Sequence, residues 1–211
     1  MVFENRSQAG TQLSRELVEF QKDMKAVVLG LPRGGVVVAE EVARFLHLPL
    51  DVILLRKLPY PPQPELAVGA VAEDGTTIIN EEFRHTVEQQ PESLEPIVRE
   101  QMEIIRSRAK QYRPHRHAHG WKDKTVILVD DGIATGATMK VAIRAARSGG
   151  ADRVVVAVPV AAPSSVRELE AEADQVVCLD TPEYFYAVGQ AYENFEQVTD
   201  EEVISILDRN S

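Results

Sequence analysis

Short apolar runs alternate along the chain with segments whose apolar residues recur every three or four positions. The runs predict buried strands at residues 26–30, 50–57, 125–130, 153–159 and 175–179. The periodic segments predict helices at residues 11–22, 36–46, 93–112, 137–148 and from 164 or 165 onward. This alternation is typical of a parallel sheet covered by helices. We therefore predict an α/β fold, with an open parallel sheet of about five strands and helices on both faces.

Two stretches interrupt the alternation. Residues 58–65, LPYPPQPE, hold four prolines, which neither a helix nor an interior strand accommodates, so we predict an extended loop. Residues 66–80, LAVGAVAEDGTTIIN, are typical of a β-hairpin with Asp74-Gly75 as its turn. Ser93 is placed to cap the helix that follows.

Composition and charge narrow the class of protein. The chain has 211 residues and a net charge of −10, and acidic residues outnumber basic ones only after residue 166. This acidic balance argues against binding nucleic acid or an anionic membrane. No apolar run has the length that a bilayer needs, and the first residues lack a signal-peptide layout. The single cysteine, Cys178, fits a reducing compartment, so we expect a cytoplasmic protein with Cys178 as a small buried side chain.

The strongest chemical signal is the segment VILVDDGIATGATM at residues 126–139. A buried strand ends in Asp130 and Asp131, and a loop of small residues then leads into a helix. In open α/β sheets, ligands bind at the carboxyl ends of strands, and N–H groups at a helix start attract anions. Residues 135–138 are therefore placed to hold a phosphate. The two carboxylates precede this loop, where they would accept hydrogen bonds from sugar hydroxyls and keep Mg²⁺ nearby.

Other interpretations of these residues are weaker. The chain has no GxxxxGK[ST] motif, and GIATGAT lacks the GxGxxG spacing of a dinucleotide site. An aspartate cap followed by a glycine turn would explain either half of the segment, but not the combination. His115, His117 and His119 lie on a loop bounded by Pro and Gly, where solvated side chains are more common than a metal site.

The segment resembles the motif with which type I phosphoribosyltransferases bind phosphoribosyl pyrophosphate (PRPP). The resemblance implies that Asp130 and Asp131 hold the ribose hydroxyls. The residues implied for the 5′-phosphate are Ala134, Thr135, Gly136, Ala137 and Thr138. GLPRGG at residues 30–35 stands where the family keeps its pyrophosphate loop, which assigns that group to Arg33, Gly34 and Gly35.

Two further segments extend the resemblance. Arg56-Lys57 is similar to an arginine-lysine pair of adenine phosphoribosyltransferases, and the Pro-rich loop after it would act as a lid. Residues 181–195 resemble the base-binding segment of hypoxanthine-guanine enzymes, where Phe185 or Tyr186 would stack on the base. Glu193 would join Asp130 and Asp131 as a metal ligand. Ala134 departs from the 6-oxopurine enzymes, which carry an aspartate there.

The resemblance implies one phosphoribosyltransferase domain over residues 1–211. Its core would span about residues 24–180. A small hood would be formed by residues 181–211, either alone or together with residues 1–10. The implied activity belongs to nucleotide metabolism. It transfers phosphoribose from PRPP to a nitrogenous base with Mg²⁺, and Asp130, Asp131 and Lys57 are the catalytic residues.

Several points stay open at the level of sequence. A non-catalytic protein that binds PRPP or a nucleotide and regulates a protein partner is the alternative function. A homodimer is suggested by analogy alone. Residues 178–195 contain aromatic side chains, among them Tyr184, Phe185, Tyr186 and Tyr192, and no Lys, Arg or His, which favours a neutral planar base over orotate. Arg6 is a basic residue that could still enter that pocket from elsewhere in the chain.

Overall fold

The computed structural model describes residues 1–60, 63–80, 83–85, 87, 94–114 and 120–210, with the backbone but not the side chains of residues 63–65. We label its helices α1 Arg6–Arg15, α2 Gly34–Leu46, α3 Glu95–Tyr112, α4 Ala137–Ser148, α5 Pro163–Glu170 and α6 Asp200–Arg209. The strands are β1 Ala26–Gly30, β2 Leu50–Val52, β3 Leu55–Tyr60, β4 Gln63–Ala72, β5 Thr77–Ile79, β6 Thr125–Val129, β7 Arg153–Val160 and β8 Gln175–Asp180.

Five strands form a parallel sheet in the order β2-β1-β6-β7-β8. Because side chains alternate along a strand, Val28, Ile127 and Val155 enter one core with α1, α2 and α6, while Leu128 and Val156 enter another with α4 and α5. Helices thus cover both faces, which confirms the predicted fold class. Gly30 lies opposite Val129, so β1 and β6 end at the same level.

The single strand predicted over residues 50–57 is wrong. The strand in the parallel sheet ends at Val52, and residues 55–60 form β3 in a separate antiparallel sheet of order β3-β4-β5. Because β2 lies at the sheet edge, its last carbonyl needs another partner, and Arg113 Nη2 donates to Val52 O at 2.9 Å. An arginine that follows α3, far along the chain, gives no local signal in the strand sequence.

The loop predicted over residues 58–65 is also wrong for the residues that the structure describes. Pro59 and Tyr60 belong to β3, and Tyr60 pairs with Gln63 of β4. Proline is tolerated because β3 is an edge strand, and the register shifts on both sides of Pro59. The predicted hairpin at residues 66–80 is confirmed, with Gly75 at φ 89° in the turn between β4 and β5.

Helix positions follow the predictions closely at two places. The helix predicted over residues 137–148 is α4, and that predicted over 36–46 starts at Gly34. The first helix starts earlier than predicted, at Arg6, because the Asn5 side chain accepts the N–H of Gln8 at 2.9 Å. Ser93 and the three histidines at residues 115, 117 and 119 lie outside the described residues.

Two distant segments meet beside the sheet. Residues 3–4 pair with residues 191–194, with hydrogen bonds from Phe3 N to Ala191 O (2.7 Å) and from Glu193 N to Phe3 O (2.8 Å). Helix α6 instead packs Val203, Ile206 and Leu207 into the main core. The division into core and hood stays a prediction. In the described part of the chain, no helix has the length and apolar character to cross a membrane.

Candidate functional site

The acidic pair lies against the glycine turn after β1. Leu31 N donates to Val129 O at 2.9 Å, which holds the two turns side by side. A Cβ on Gly34 would lie 1.9 Å from Asp131 Oδ2, and one on Gly35 would lie 2.8 Å from the Asp130 Cα. Only glycine therefore lets the first turn of α2 approach the two carboxylates. The Pro32–Arg33 peptide within this turn is cis.

The two aspartates have different partners. The Asp130 carboxylate accepts the N–H of Asp131 at 2.8 Å. Burial, and then the neighbouring charge of Asp131, raises the pKa of Asp130 well above its ordinary value. Asp131 Oδ2 accepts Arg6 Nε at 2.7 Å, and both side chains are nearly buried. Burial also raises the pKa of Asp131, although the Arg6 guanidinium opposes that rise.

Residues 134–138, which we call the phosphate turn after their predicted role, begin three residues after Asp131. Gly136 adopts φ 72° at the start of α4, a left-handed conformation that favours glycine. Ser165 Oγ of α5 donates to Ala134 O at 2.7 Å, which connects the turn to that helix. The exposed residues of the turn are Ala134, Thr135, Ala137 and Thr138. The turn therefore presents two hydroxyls and a helix start to solvent, which suits an anion.

The β3–β4 hairpin brings cations to this turn. Arg56 and Lys57 line a cavity of about 470 Å³ together with Ala137 and Thr138 of α4. Arg56 Nε donates to Oε1 of the buried Gln101 at 3.0 Å, which orients the guanidinium from α3. A smaller cavity of about 60 Å³ joins Arg56 to Leu31 and Pro32 of the glycine turn, with Arg108 on its wall. Arg33 ends that turn, half-buried, directly before α2.

The C-terminal aromatic residues have different environments. Phe185 packs against a small cluster that contains Phe3, Val160 and Tyr192, whereas Tyr186 is 79% exposed. A Cβ on Gly132 would lie 2.5 Å from Val188 Cγ1, so this segment lies over the loop after the acids.

Glu193 is exposed, and its backbone N–H pairs with Phe3. Within the described ranges, no three His, Cys, Asp or Glu side chains form a group suited to a metal ion. The structure thus brings together the acids, the glycine turn, the phosphate turn and the hairpin cations, but it does not join Glu193 to the aspartates. All these residue roles stay predictions.

Sequence reasoning missed several residues that shape the site. Tyr192 donates its hydroxyl to Asp131 O at 2.5 Å, Arg6 pairs with the Asp131 carboxylate, and Gln101 holds Arg56. By sequence alone, Arg6 is a candidate only for the base pocket, and Ser165 only for a helix start. Each belongs to a segment far along the chain from its partner, so no local pattern marks it.

Comparisons with known proteins agree on the family. The family model described as the phosphoribosyl transferase domain matches residues 4–195. A Mycobacterium tuberculosis protein named "putative phosphoribosyl transferase", found in strains CDC 1551 and H37Rv, is 45% identical over 208 residues. The match covers 99% of this chain and 47% of that protein, so the chain spans about half the length of the curated relatives it matches.

Solved structures extend the comparison. The crystal structure of TT1426 from Thermus thermophilus has 46% identity and a TM-score of 0.86, covering 98% of each chain. The AQ2163 protein of Aquifex aeolicus, at 13% identity and a TM-score of 0.50, covers 83% of this chain and 74% of its own, and shares the fold alone. With the family model matching most of its length, this chain belongs to the phosphoribosyl transferase domain family.

Proposed function

We propose that this domain transfers the 5-phosphoribosyl group from PRPP to a ring nitrogen of a nitrogenous base. The bond from C1 of the sugar to pyrophosphate breaks, a bond from C1 to nitrogen forms, and a ring N–H proton leaves to solvent. The observation that carries this proposal is the close approach of the acidic pair to the glycine turn, with the phosphate turn beginning three residues later. Three groups of PRPP thereby have neighbouring partners.

The ribose and its phosphate are assigned to the β6–α4 segment. Asp130 and Asp131 accept hydrogen bonds from the ribose hydroxyls. The N–H groups and hydroxyls of residues 134–138 hold the 5′-phosphate, which is consistent with the exposure of Ala134, Thr135, Ala137 and Thr138. A sugar that becomes cation-like as pyrophosphate leaves is also favoured by two nearby carboxylates.

The pyrophosphate is assigned to the glycine turn and the hairpin. Backbone N–H groups of Gly34 and Gly35 and the side chain of Arg33 bind one end, and Arg56 and Lys57 add charge across the cavity that they line. Lys57 is catalytic in this scheme because its charge stabilises the departing group. Carboxylate oxygens are ligands that Mg²⁺ prefers, so Asp130 and Asp131 would hold the ion, which neutralises pyrophosphate charge.

A neutral, planar, purine-like base is the proposed acceptor. Tyr186 is exposed two residues before Val188, the residue that lies against Gly132 in the loop after the acids, and it offers a flat face for stacking. Arg6, the basic residue outside this segment that is a candidate partner for an acceptor carboxylate, instead contacts Asp131 and Glu196 O. Ala134 occupies the place where 6-oxopurine enzymes carry an aspartate, which favours an adenine-type over a hypoxanthine-type acceptor.

The compartment proposed for this reaction is the cytoplasm. Cys178, the single cysteine of the sequence, is half-buried, and burial raises the pKa of its thiol to about 11. A neutral, inert thiol with no cysteine partner is typical of proteins in reducing compartments.

The test is pyrophosphate release from PRPP and Mg²⁺ across a panel of bases that includes adenine, hypoxanthine and orotate. We expect release with a neutral purine-like base, and loss of release in Lys57→Ala. Fastest release with orotate would contradict the proposed acceptor pocket. PRPP binding without release for any base would favour the alternative, a regulatory protein that acts through a protein partner.

A further inference from the structure

Arg6 lies where the two distant segments of the chain meet. Residues 3–4 pair with residues 191–194, and helix α1 begins at Arg6 directly after that pairing. The Asn5 side chain caps the helix, so both the strand pairing and the cap fix the backbone position of Arg6. Its side chain extends from this junction toward the end of β6.

The Arg6 guanidinium makes contacts in several directions. Its Nε donates to Asp131 Oδ2 at 2.7 Å, and its Nη1 donates to Glu196 O at 2.8 Å. The Phe195 ring lies beneath it, with 3.9 Å from the guanidinium carbon to the ring centroid. The side chain is only 11% exposed, which distinguishes this contact from an ordinary surface ion pair.

Asp131 is held a second time from the same segment. Tyr192 is nearly buried, and its hydroxyl donates to the backbone carbonyl of Asp131 at 2.5 Å. The side chain and the main chain of Asp131 are therefore both bound by residues that belong to, or directly follow, the paired segments. The segment proposed to bind the acceptor is thus connected to a residue proposed to bind the ribose.

We propose that Arg6 is a positioning residue of the phosphoribosyl site, which fixes the Asp131 carboxylate and sets the acceptor segment in place relative to it. This role rests on the proposed function, because it assumes that Asp131 binds the ribose. A guanidinium suits it, since its planar fork donates in two directions while its face stacks on a ring. A lysine ammonium at the same place supplies the charge without that geometry.

The test measures binding of two probes by calorimetry with Mg²⁺: PRPP, and inorganic pyrophosphate. In Arg6→Gln, loss of a charge-assisted hydrogen bond to Asp131 should weaken PRPP binding about 10- to 100-fold. Pyrophosphate binding should fall less than PRPP binding, because Arg6 donates to Asp131 on the ribose side, whereas its Nε only lies close to Gly34 of the glycine turn. Arg6→Lys should recover part of the loss, and Arg15→Gln, an exposed arginine on the same helix, should match the wild type.

The outcomes separate this role from the proposed function. Equal losses for both probes in Arg6→Gln would indicate general destabilisation, and unchanged PRPP binding would show that Asp131 needs no partner; either result overturns the role of Arg6. If Arg6→Gln does not fold, Arg6→Lys decides, with wild-type affinity for PRPP as the contradicting result. If the wild type binds pyrophosphate but not PRPP, the proposed function itself fails, and the role fails with it.

Discussion

The two aspartates after β6 differ in how their charges are balanced. Asp131 has the Arg6 guanidinium, whereas the contact of the Asp130 carboxylate is a neutral backbone N–H. A buried carboxylate with a like charge beside it is costly to ionise, which is why the pKa of Asp130 is raised well above its ordinary value. Residues that oppose stability in this way are often kept for binding or catalysis.

Replacing Asp130 should therefore stabilise the ligand-free protein. A raised carboxyl pKa means that the folded state binds the proton more tightly than the unfolded state. The stability that this contributes is full below the unfolded pKa and is lost as pH rises through the folded pKa. We expect Asp130→Asn to melt above the wild type at pH 7, by roughly 2–4 °C for each 1 kcal/mol gained, with the difference shrinking toward pH 4.

Thermal unfolding in metal-free buffer at several pH values gives the measurement. The exposed Asp152 provides a matched control as Asp152→Asn, which should follow the wild type at each pH. A lower melting temperature for Asp130→Asn at pH 7 would mean that the carboxylate has a stabilising partner.

At the scale of single residues, the part of the site that is continuous in the sequence was predictable. Residues 126–139 form strand, acids, turn and helix in one segment, and local patterns indicate each of them. The contact between Arg6 and Asp131 spans 125 positions, and its geometry depends on the pairing of residues 3–4 with 191–194. No property of ENRSQ around Arg6 distinguishes it from an ordinary surface arginine.

Among the elements, the β3–β4 hairpin depends on a buried charge network for its position. Arg113, just after α3, contacts Asp51 of β2 (2.8 Å) and Glu73 at the end of β4 (2.7 Å). Arg113 and Asp51 are 4% and 1% exposed. The network joins the edge of the parallel sheet to the antiparallel sheet, and therefore places Arg56 and Lys57 relative to α4.

Arg113→Met should destabilise the protein strongly. Removing one partner of a buried ion pair typically costs about 3–5 kcal/mol, because the other charge stays in the interior. Chemical denaturation provides the free energy of unfolding, with Arg99→Met, an exposed arginine of α3, as the control. Glu73→Gln should cost less, since that carboxylate is 24% exposed. A cost for Arg113→Met no larger than that of the control would contradict the structural role of the network.

Lys57→Ala tests what the hairpin contributes to the site. Lys57 is exposed at the cavity beside Thr138, so its removal should lower turnover about 10- to 100-fold while leaving ribose 5-phosphate affinity unchanged. Steady-state kinetics and calorimetry measure the two quantities, and Lys110→Ala on α3 is the exposed control. Equal losses in both would make Lys57 part of the scaffold rather than of the pyrophosphate end.

Elements whose patterns are local were predicted well, and those set by neighbours were not. The apolar runs of β1, β6 and β7 indicate their burial directly. The ends of β2 and β3 depend instead on sheet edges and on Arg113, and the prolines of the hairpin indicated a loop because their edge position is not visible in the sequence.

At the scale of the whole molecule, the fold places four segments from distant parts of the chain at the edge of the parallel sheet where the strands have their carboxyl ends. The glycine turn follows β1, the hairpin follows β2, the acids and phosphate turn follow β6, and the aromatic segment follows β8. This is the edge at which open α/β sheets bind ligands. The chain covers about half of the curated relatives' length. The first test therefore concerns binding by this domain itself.

The most direct test is calorimetric titration of the wild type and Asp130→Asn with PRPP in the presence of Mg²⁺. The proposed function predicts that the wild type binds PRPP. It also predicts that Asp130→Asn, although at least as stable, loses about 10- to 100-fold in affinity, since a charged acceptor for the ribose hydroxyls is gone. Equal affinity of a folded Asp130→Asn and the wild type, or no binding of PRPP by the wild type, would contradict the assignment of this turn to PRPP.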